Sequence, residues 1–232
     1  MTVLLVLFTF VSFLLIDHFR SRRAVQPALQ VAPAKTVEAA VTATAPRLQP
    51  ALVGGFAVPE NFRYHPGHTW ALSESPNLVR VGMDDFASKL TGKVDKITLP
   101  QRGQWIRQGQ KMCTLYRDDC AVDMVSPIEG SVSDINMALA ADPKLALRDP
   151  FGEGWLVTVQ APDAKTSFRN LLGGAMARFW TQESASRLQQ RLPLPMAMAG
   201  ALAQDGGVAV NDISAQIPDQ KWMALAKEFF LS

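Results

Sequence analysis

Two adjacent carboxylates and a thiol, Asp118, Asp119 and Cys120, stand between two segments with the residue pattern of β-strands. Adjacent acids can serve acid–base catalysis or metal binding, and an exposed thiol can exchange disulfides. A metal ion needs more converging ligands than these, and the nearest histidines, His65 and His68, are distant in sequence. Negative charge beside the thiol disfavours a thiolate. We therefore expect solvated turn residues with no catalytic or metal-binding role.

The flanking segments predict a β-hairpin that positions these residues. Polarity alternates from Met112 to Tyr116, as in a half-buried strand. The polar run 117–119 supplies the tip, and residues 120–125 form the returning strand. In a simple two-strand register Cys113 lies opposite Met124, so we expect no internal disulfide. Two free thiols are typical of a reducing compartment.

The sequence around this hairpin resembles the glycine cleavage system H proteins, small carriers that hold lipoic acid on a lysine at the tip of a β-hairpin. The most specific match is contiguous, from Asp149 to Leu156. The other matches follow the family order and are His68-Thr69-Trp70, Val81-Gly82, Asp84, Ala87, Leu99-Pro100, Gly103, Gly109, Ser126-Pro127, Gly130, Val132, Asn136, Leu139, Pro143 and Leu145. The resemblance covers residues 61–163 and implies a lipoyl-type barrel-sandwich hybrid, in which His68 belongs to a structural motif.

At the position that corresponds to the lipoylated lysine of the family, this chain has a residue that cannot be lipoylated. Counting back from Ser126-Pro127, the lysine that carries lipoate corresponds to Asp119, and the family's glutamate three residues earlier corresponds to Tyr116. Lipoylation forms an amide, and a carboxylate cannot supply the amine that this needs. Lys111 lies eight positions before the tip and Lys96 lies outside the hairpin. We expect an H-protein-like fold with Asp119 unmodified, no cofactor and no metal.

The composition argues against several classes of protein. The chain carries 23 basic and 21 acidic residues, whereas a nucleic-acid-binding protein concentrates positive charge on one surface. Two cysteines are too few for a disulfide scaffold. No Ser/His/Asp triad, nucleotide-binding loop or CxxC motif occurs at useful spacing. The sequence therefore predicts neither an enzyme nor a nucleic-acid-binding protein.

Residues 1–23 predict an N-terminal transmembrane anchor. The segment Thr2–Ile16 carries no charge and is almost entirely apolar. As a helix it spans ~22 Å of the ~30 Å hydrocarbon core, and extension to Phe19 brings it closer. Arg20, Arg22 and Arg23 follow it, whereas a secretory signal has positive charge before its apolar run. We expect a single-pass helix with the bulk of the chain in the cytoplasm, by the positive-inside rule.

Residues 24–60 predict a linker between the anchor and the β domain. Ten alanines and five prolines in this segment leave little apolar surface to bury against a core. Spaced prolines favour extended chain, which would hold the domain away from the bilayer.

Residues 164–232 predict a small α-helical appendage. One helix is expected to run to about Arg191, with an apolar face formed by Phe168, Leu171, Leu172, Ala175, Met176 and Phe179. Pro218 opens a last helix with an apolar stripe of Trp222, Leu225, Ala226, Phe229 and Phe230. That stripe could pack on the domain itself, which is the usual fate of an amphipathic face, or dock on an unknown protein partner.

These patterns favour a non-enzymatic, membrane-tethered interaction module that keeps the carrier fold and lacks the carrier chemistry. One alternative is a working carrier or thiol shuttle that uses another lysine or Cys120. Another is an adaptor of the membrane-fusion type, which usually splits the barrel with a long helical hairpin. The motif from Thr114 to Val132 is contiguous, which disfavours the adaptor.

Overall fold

The computed structural model describes residues 51–192, 209 and 211–231, which form a mainly β domain followed by helices. The strands are β1 (Ala51–Val53), β2 (Phe56–Val58), β3 (Arg63–His65), β4 (Thr69–Ser75), β5 (Leu78–Met83), β6 (Lys96–Thr98), β7 (Trp105–Ile106), β8 (Lys111–Arg117), β9 (Cys120–Val125), β10 (Gly130–Ile135) and β11 (Val157–Gln160). They form three antiparallel sheets, with the strand orders β1-β2, β3-β4-β5-β11-β10-β7 and β6-β8-β9. The expected mainly β central domain is confirmed.

Six α-helices lie between and after these strands. They are α1 (Asp85–Thr91), α2 (Ala138–Ala141), α3 (Leu145–Arg148), α4 (Ala164–Arg169), α5 (Gly174–Arg191) and α6 (Asp219–Phe230), and a 3-10 turn covers Ile213–Gln216. Within the described ranges, none of these helices has the length and apolar character needed to cross a bilayer. The predicted transmembrane anchor over residues 1–23 lies outside the described residues, as does most of the predicted linker.

One apolar core joins the two larger sheets to the C-terminal helices. It includes Val81 of β5 and Leu115 of β8, both fully buried, and extends to Trp222 of α6. Helix α6 packs along β9, and the indole Nε1 of Trp222 donates a 2.8 Å hydrogen bond to the carbonyl oxygen of Leu90 in α1. The predicted boundary at residue 163 therefore does not separate two independently packed parts.

The predicted linker is wrong at its C-terminal end, because residues 51–58 form the β1–β2 hairpin. Gly54 and Gly55 form its two-residue turn with φ of 59° and 88°, values that favour glycine. Phe56 is buried, and its ring lies 4.9 Å from the ring of Phe86 in α1. Apolar residues on both sides of a Gly-Gly pair are typical of a β-hairpin. The linker prediction rested instead on the alanine and proline content of the segment.

The predicted continuous helix from residue 168 to 191 is also wrong, since it forms two helices, α4 and α5. Between them, the backbone of Leu172 pairs with that of Tyr64 in β3 through two 2.8 Å hydrogen bonds. This pairing requires extended chain, so it outweighs the helical periodicity of the segment. Met176 and Phe179 consequently leave the predicted buried face and are 62% and 68% exposed.

Candidate functional site

The candidate site is the tip of the β8–β9 hairpin, where the resemblance places the modified lysine. Arg117 pairs with Cys120 in the strand register, which leaves Asp118 and Asp119 as a two-residue turn. Asp118 has a φ of 48°, a left-handed conformation that aspartate tolerates better than most residues. Both side chains are exposed. Asp119 therefore stands at an open bend with its carboxylate in solvent.

A primary amine that no local sequence pattern indicates lies beside this turn. Nζ of Lys93 is 2.6 Å from Oδ1 of Asp118 and 3.7 Å from Oδ1 of Asp95. The hydrogen bond to Asp118 raises the pKa of Lys93, and the same bond lowers the pKa of Asp118. Oδ2 of Asp95 also accepts the backbone N–H of Asp118 at 2.8 Å. Lys93 is 25 residues away from Asp118, so only the folded chain reveals this contact.

Arg117, the last residue of β8, holds the hairpin tip from the inside. Its side chain is buried, Nη1 donates to Oγ of Ser214, and the guanidinium lies 4.9 Å from the ring centre of Trp222. Oγ of Ser214 in turn donates to the carbonyl oxygen of Thr91 at 3.1 Å. Arg117 and Ser214 are 97 residues apart in the chain. The C-terminal segment therefore clamps the tip against the end of α1.

The two cysteines occupy different environments. Cys113 pairs with Met124, as the predicted register required, and its side chain is buried. Burial raises the pKa of the Cys113 thiol to about 12. Cys120 is half-buried next to the tip, with Sγ 4.0 Å from the carbonyl oxygen of Asp219. Both thiols are free, and their positions on the hairpin do not bring them together.

Brief treatment of the folded protein with iodoacetamide at pH 8 is expected to modify Cys120 and to spare Cys113. Alkylation requires the thiolate, and a pKa of about 12 keeps the Cys113 thiol almost entirely protonated at that pH. Peptide mass mapping measures the ratio of the two products. Unfolding in urea should remove the difference, and equal modification of both cysteines in the folded protein would contradict the buried position of Cys113.

His65 and His68 both take part in the structure of the domain. His68 is fully buried, with Nδ1 2.8 Å from Oδ2 of Asp84 and its ring stacked at 4.0 Å on Phe86. Nδ1 of His65 accepts the N–H of Gly67 at 3.0 Å, and burial lowers the pKa of His65. In the part of the chain that the structure describes, no three His, Cys, Asp or Glu side chains converge as metal ligands.

Replacing Asp84 with alanine is expected to lower the free energy of unfolding by about 2–3 kcal/mol. Oδ1 of Asp84 accepts the N–H of Ala87 at 2.8 Å and so caps α1, while Oδ2 bonds to buried His68. Asp84→Asn keeps an oxygen for the cap and should recover part of the loss. Urea unfolding of the two variants measures the difference. An Asp84→Ala variant as stable as the native protein would contradict both roles.

The apolar stripe of the last helix is buried within the domain. Trp222, Leu225, Phe229 and Phe230 are each at most 5% exposed. The ring of Phe229 lies 5.0 Å from that of Phe86 in α1. Of the two alternatives left open by the sequence, packing on the domain itself describes the position of these residues. In this structure they do not offer a docking face, and the identity of any protein partner stays a prediction.

Comparison with known proteins identifies relatives of this chain. The family model described as "Glycine cleavage H-protein" matches residues 62–183, which extends past the predicted boundary at residue 163 into α5. A glycine cleavage system H protein from Mycobacterium avium is 33% identical over 107 residues, which cover 46% of this chain and 81% of the relative. A probable glycine cleavage system H protein 2 from Sulfurisphaera tokodaii is 30% identical over 128 residues, covering 54% of this chain and 86% of the relative.

A crystal structure of a glycine cleavage system H protein from Mycobacterium marinum is also similar to this chain. It is 23% identical and aligns with a TM-score of 0.45, over 54% of this chain and 98% of that chain. The family assignment comes from the sequence matches, because the family model covers more than half of this chain and the relatives are covered over most of their length. The chain belongs to the glycine cleavage H-protein family.

Proposed function

We propose that this chain is a non-enzymatic interaction module, tethered to the membrane, that keeps an H-protein-like domain and carries no lipoyl group. The observation that supports the proposal most is the position of Asp119 in the exposed turn of the hairpin. At the position where the resemblance calls for an amine, this chain offers a carboxylate, which cannot form the lipoyl amide. Without that amide the domain carries no group to transfer, and the role that we propose for it is to bind another protein through its surface.

The proposed tether rests on the sequence of the first 23 residues. Thr2–Ile16 is apolar and uncharged, and three arginines follow within seven residues. Arginines on the C-terminal side of such a segment favour a single-pass orientation that leaves the domain in the cytoplasm. The full chain should therefore sediment with membranes and resist extraction at alkaline pH. Recovery of the intact chain in the soluble fraction would contradict the tether.

Site-specific crosslinking in native membranes tests the interaction. A photoreactive residue at Asp119 probes the hairpin tip, and one at exposed Gln101 is a control on another surface. A module that binds through its tip should give one abundant crosslinked protein from Asp119 and none from Gln101. The same products from both positions, or none from either, would contradict binding at the tip.

A carrier that works through another residue is the second candidate, and the position of Lys93 favours it. Its amine lies beside the turn, and its side chain is 46% exposed. However, the hydrogen bond to Asp118 raises the pKa of this amine, which lowers the fraction in the neutral form that acts as a nucleophile. Peptide mapping would distinguish the candidates, because a carrier of this kind holds an acyl group on Lys93 that Lys93→Arg removes.

Two further candidates have less support. A thiol shuttle would use Cys120, which is half-buried against α6, while Cys113 is buried deep in the hairpin. A membrane-fusion-type adaptor would insert a long helical hairpin at the tip. Here β8 and β9 are joined by the two residues Asp118 and Asp119.

A further inference from the structure

A cleft of 480 Å³ lies between β1, α1 and α3. This volume falls in the range of roughly 300–1,000 Å³ that is typical of small-molecule sites. Its lining includes the apolar residues Leu52, Leu147 and Pro150 and the basic residues Lys89, Lys144 and Arg148. None of these six residues takes part in the hairpin tip or in the clamp around Arg117. The cleft is thus a second feature of the domain that the proposed function leaves unused.

Lys89 places a buried basic group in one wall of the cleft. Its side chain is 7% exposed, and Nζ donates to the carbonyl oxygen of Gly55 at 3.2 Å and to Oδ2 of Asp85 at 2.7 Å. An ammonium group has three N–H donors, so these two hydrogen bonds leave one of them unused. Asp85 is the one carboxylate among the residues that line the cleft, against three basic side chains.

The other two basic groups flank helix α3. Lys144 is the residue directly before the helix, Arg148 is its last residue, and both are exposed. Nη2 of Arg148 donates to Oδ2 of Asp142 at 2.9 Å, which leaves most of the guanidinium donors available. Lys144 forms no ion pair with any residue in the described ranges. This wall therefore presents donors suited to an anion.

The apolar part of the cleft is partly uncovered. Leu52 of β1 is 43% exposed, although the neighbouring Val53 packs into the domain. Leu147 of α3 lines the cleft from a second element and is half-buried. An apolar ligand group placed between Leu52 and Leu147 would remove both surfaces from water, which is favourable in proportion to the area covered.

We propose that this cleft binds a small organic anion with a short apolar body, namely a carboxylate with a chain of about six carbons. The carboxylate accepts hydrogen bonds from Lys144, Arg148 and the remaining N–H of Lys89. The chain covers Leu52 and Leu147. Both features are needed, because the basic groups select the charge of the ligand while burial of the apolar surface adds binding free energy.

Titration of the full chain with hexanoate tests this site. The protein is held in nanodiscs of zwitterionic lipid with 13C-labelled leucine methyl groups, and NMR follows the methyl signals of Leu52 and Leu147. Hexanoate should shift both signals with a Kd on the order of 1 mM, as expected for a ligand of this size. Hexanol and hexylamine have the same chain without the negative charge and should bind at least tenfold more weakly.

A matched pair of charge variants separates the cleft from general electrostatics. Lys144→Gln/Arg148→Gln should weaken hexanoate binding at least tenfold, because it removes one wall of donors from exposed positions. Lys165→Gln/Arg169→Gln makes the same charge change on α4, outside the cleft, and should leave binding unchanged. The proposal would be overturned if the three ligands shifted the methyl signals equally, or if the two variants changed hexanoate affinity equally. It would also be overturned if no methyl signal shifted up to about 20 mM hexanoate.

Discussion

Replacing Trp222 with alanine is expected to lower the free energy of unfolding by about 4 kcal/mol. Trp222 is fully buried, donates a hydrogen bond to the carbonyl oxygen of Leu90, and stacks under the guanidinium of Arg117. The variant therefore opens a cavity where α6 meets α1 and β8. It also leaves the carbonyl oxygen of Leu90 without its hydrogen-bond donor and removes the ring that covers the buried guanidinium of Arg117, and buried polar groups without partners are costly.

Urea unfolding of the full chain, followed by circular dichroism, measures this loss, and Phe179→Ala is the matched control. Phe179 is also a large aromatic residue of a C-terminal helix, but it is 68% exposed, so its removal should change stability by less than about 0.5 kcal/mol. If the two variants lose the same free energy of unfolding, α6 is not packed on the hairpin as described. The same holds if Trp222→Ala unfolds at the same urea concentration as the native protein.

The double variant Asp119→Lys/Tyr116→Glu is expected to accept lipoate where the native chain does not. It restores the amine at the exposed turn and the acidic residue that the H-protein pattern has three positions earlier. Tyr116 is half-buried and pairs with Ala121 on β9, so the change leaves the strand register intact. When the variant is produced with a lipoate–protein ligase and free lipoate, intact mass should show one lipoyl group per chain.

The control for this gain of modification is Asp119→Arg/Tyr116→Glu. Arginine restores the positive charge without a primary amine, so this variant should remain unmodified. Peptide mapping should locate the lipoyl group of the lysine variant at residue 119. An unmodified lysine variant would show that the tip has lost more than its amine, and that the surrounding hairpin is no longer recognised as a carrier tip.

Local patterns were sufficient to predict the central hairpin and the start of the last helix. Alternating polarity gave β8 and β9 with the correct pairing of Cys113 with Met124. Pro218 likewise marked the start of α6. Each of these features depends on residues close together in the sequence.

The features that the sequence did not reveal depend on contacts between distant residues. Lys93 reaches the tip only because α1 ends beside the hairpin, and Arg117 meets Ser214 only once the C-terminal segment has packed. The break between α4 and α5 depends in the same way on pairing of Leu172 with Tyr64. The β1–β2 hairpin does not depend on distant contacts, because Gly54 and Gly55 are a local turn signal. The linker prediction gave more weight to the composition of the segment than to this signal.

The intact mass of the native chain, isolated from the cell in which it is naturally made, tests the absence of the lipoyl group directly. With a carboxylate at the turn and the Lys93 amine held by Asp118, the mass should show no increment that corresponds to a lipoyl group. A lipoyl adduct on any lysine would contradict it, and an adduct mapped to Lys93 would show that the arm had moved to a neighbouring loop.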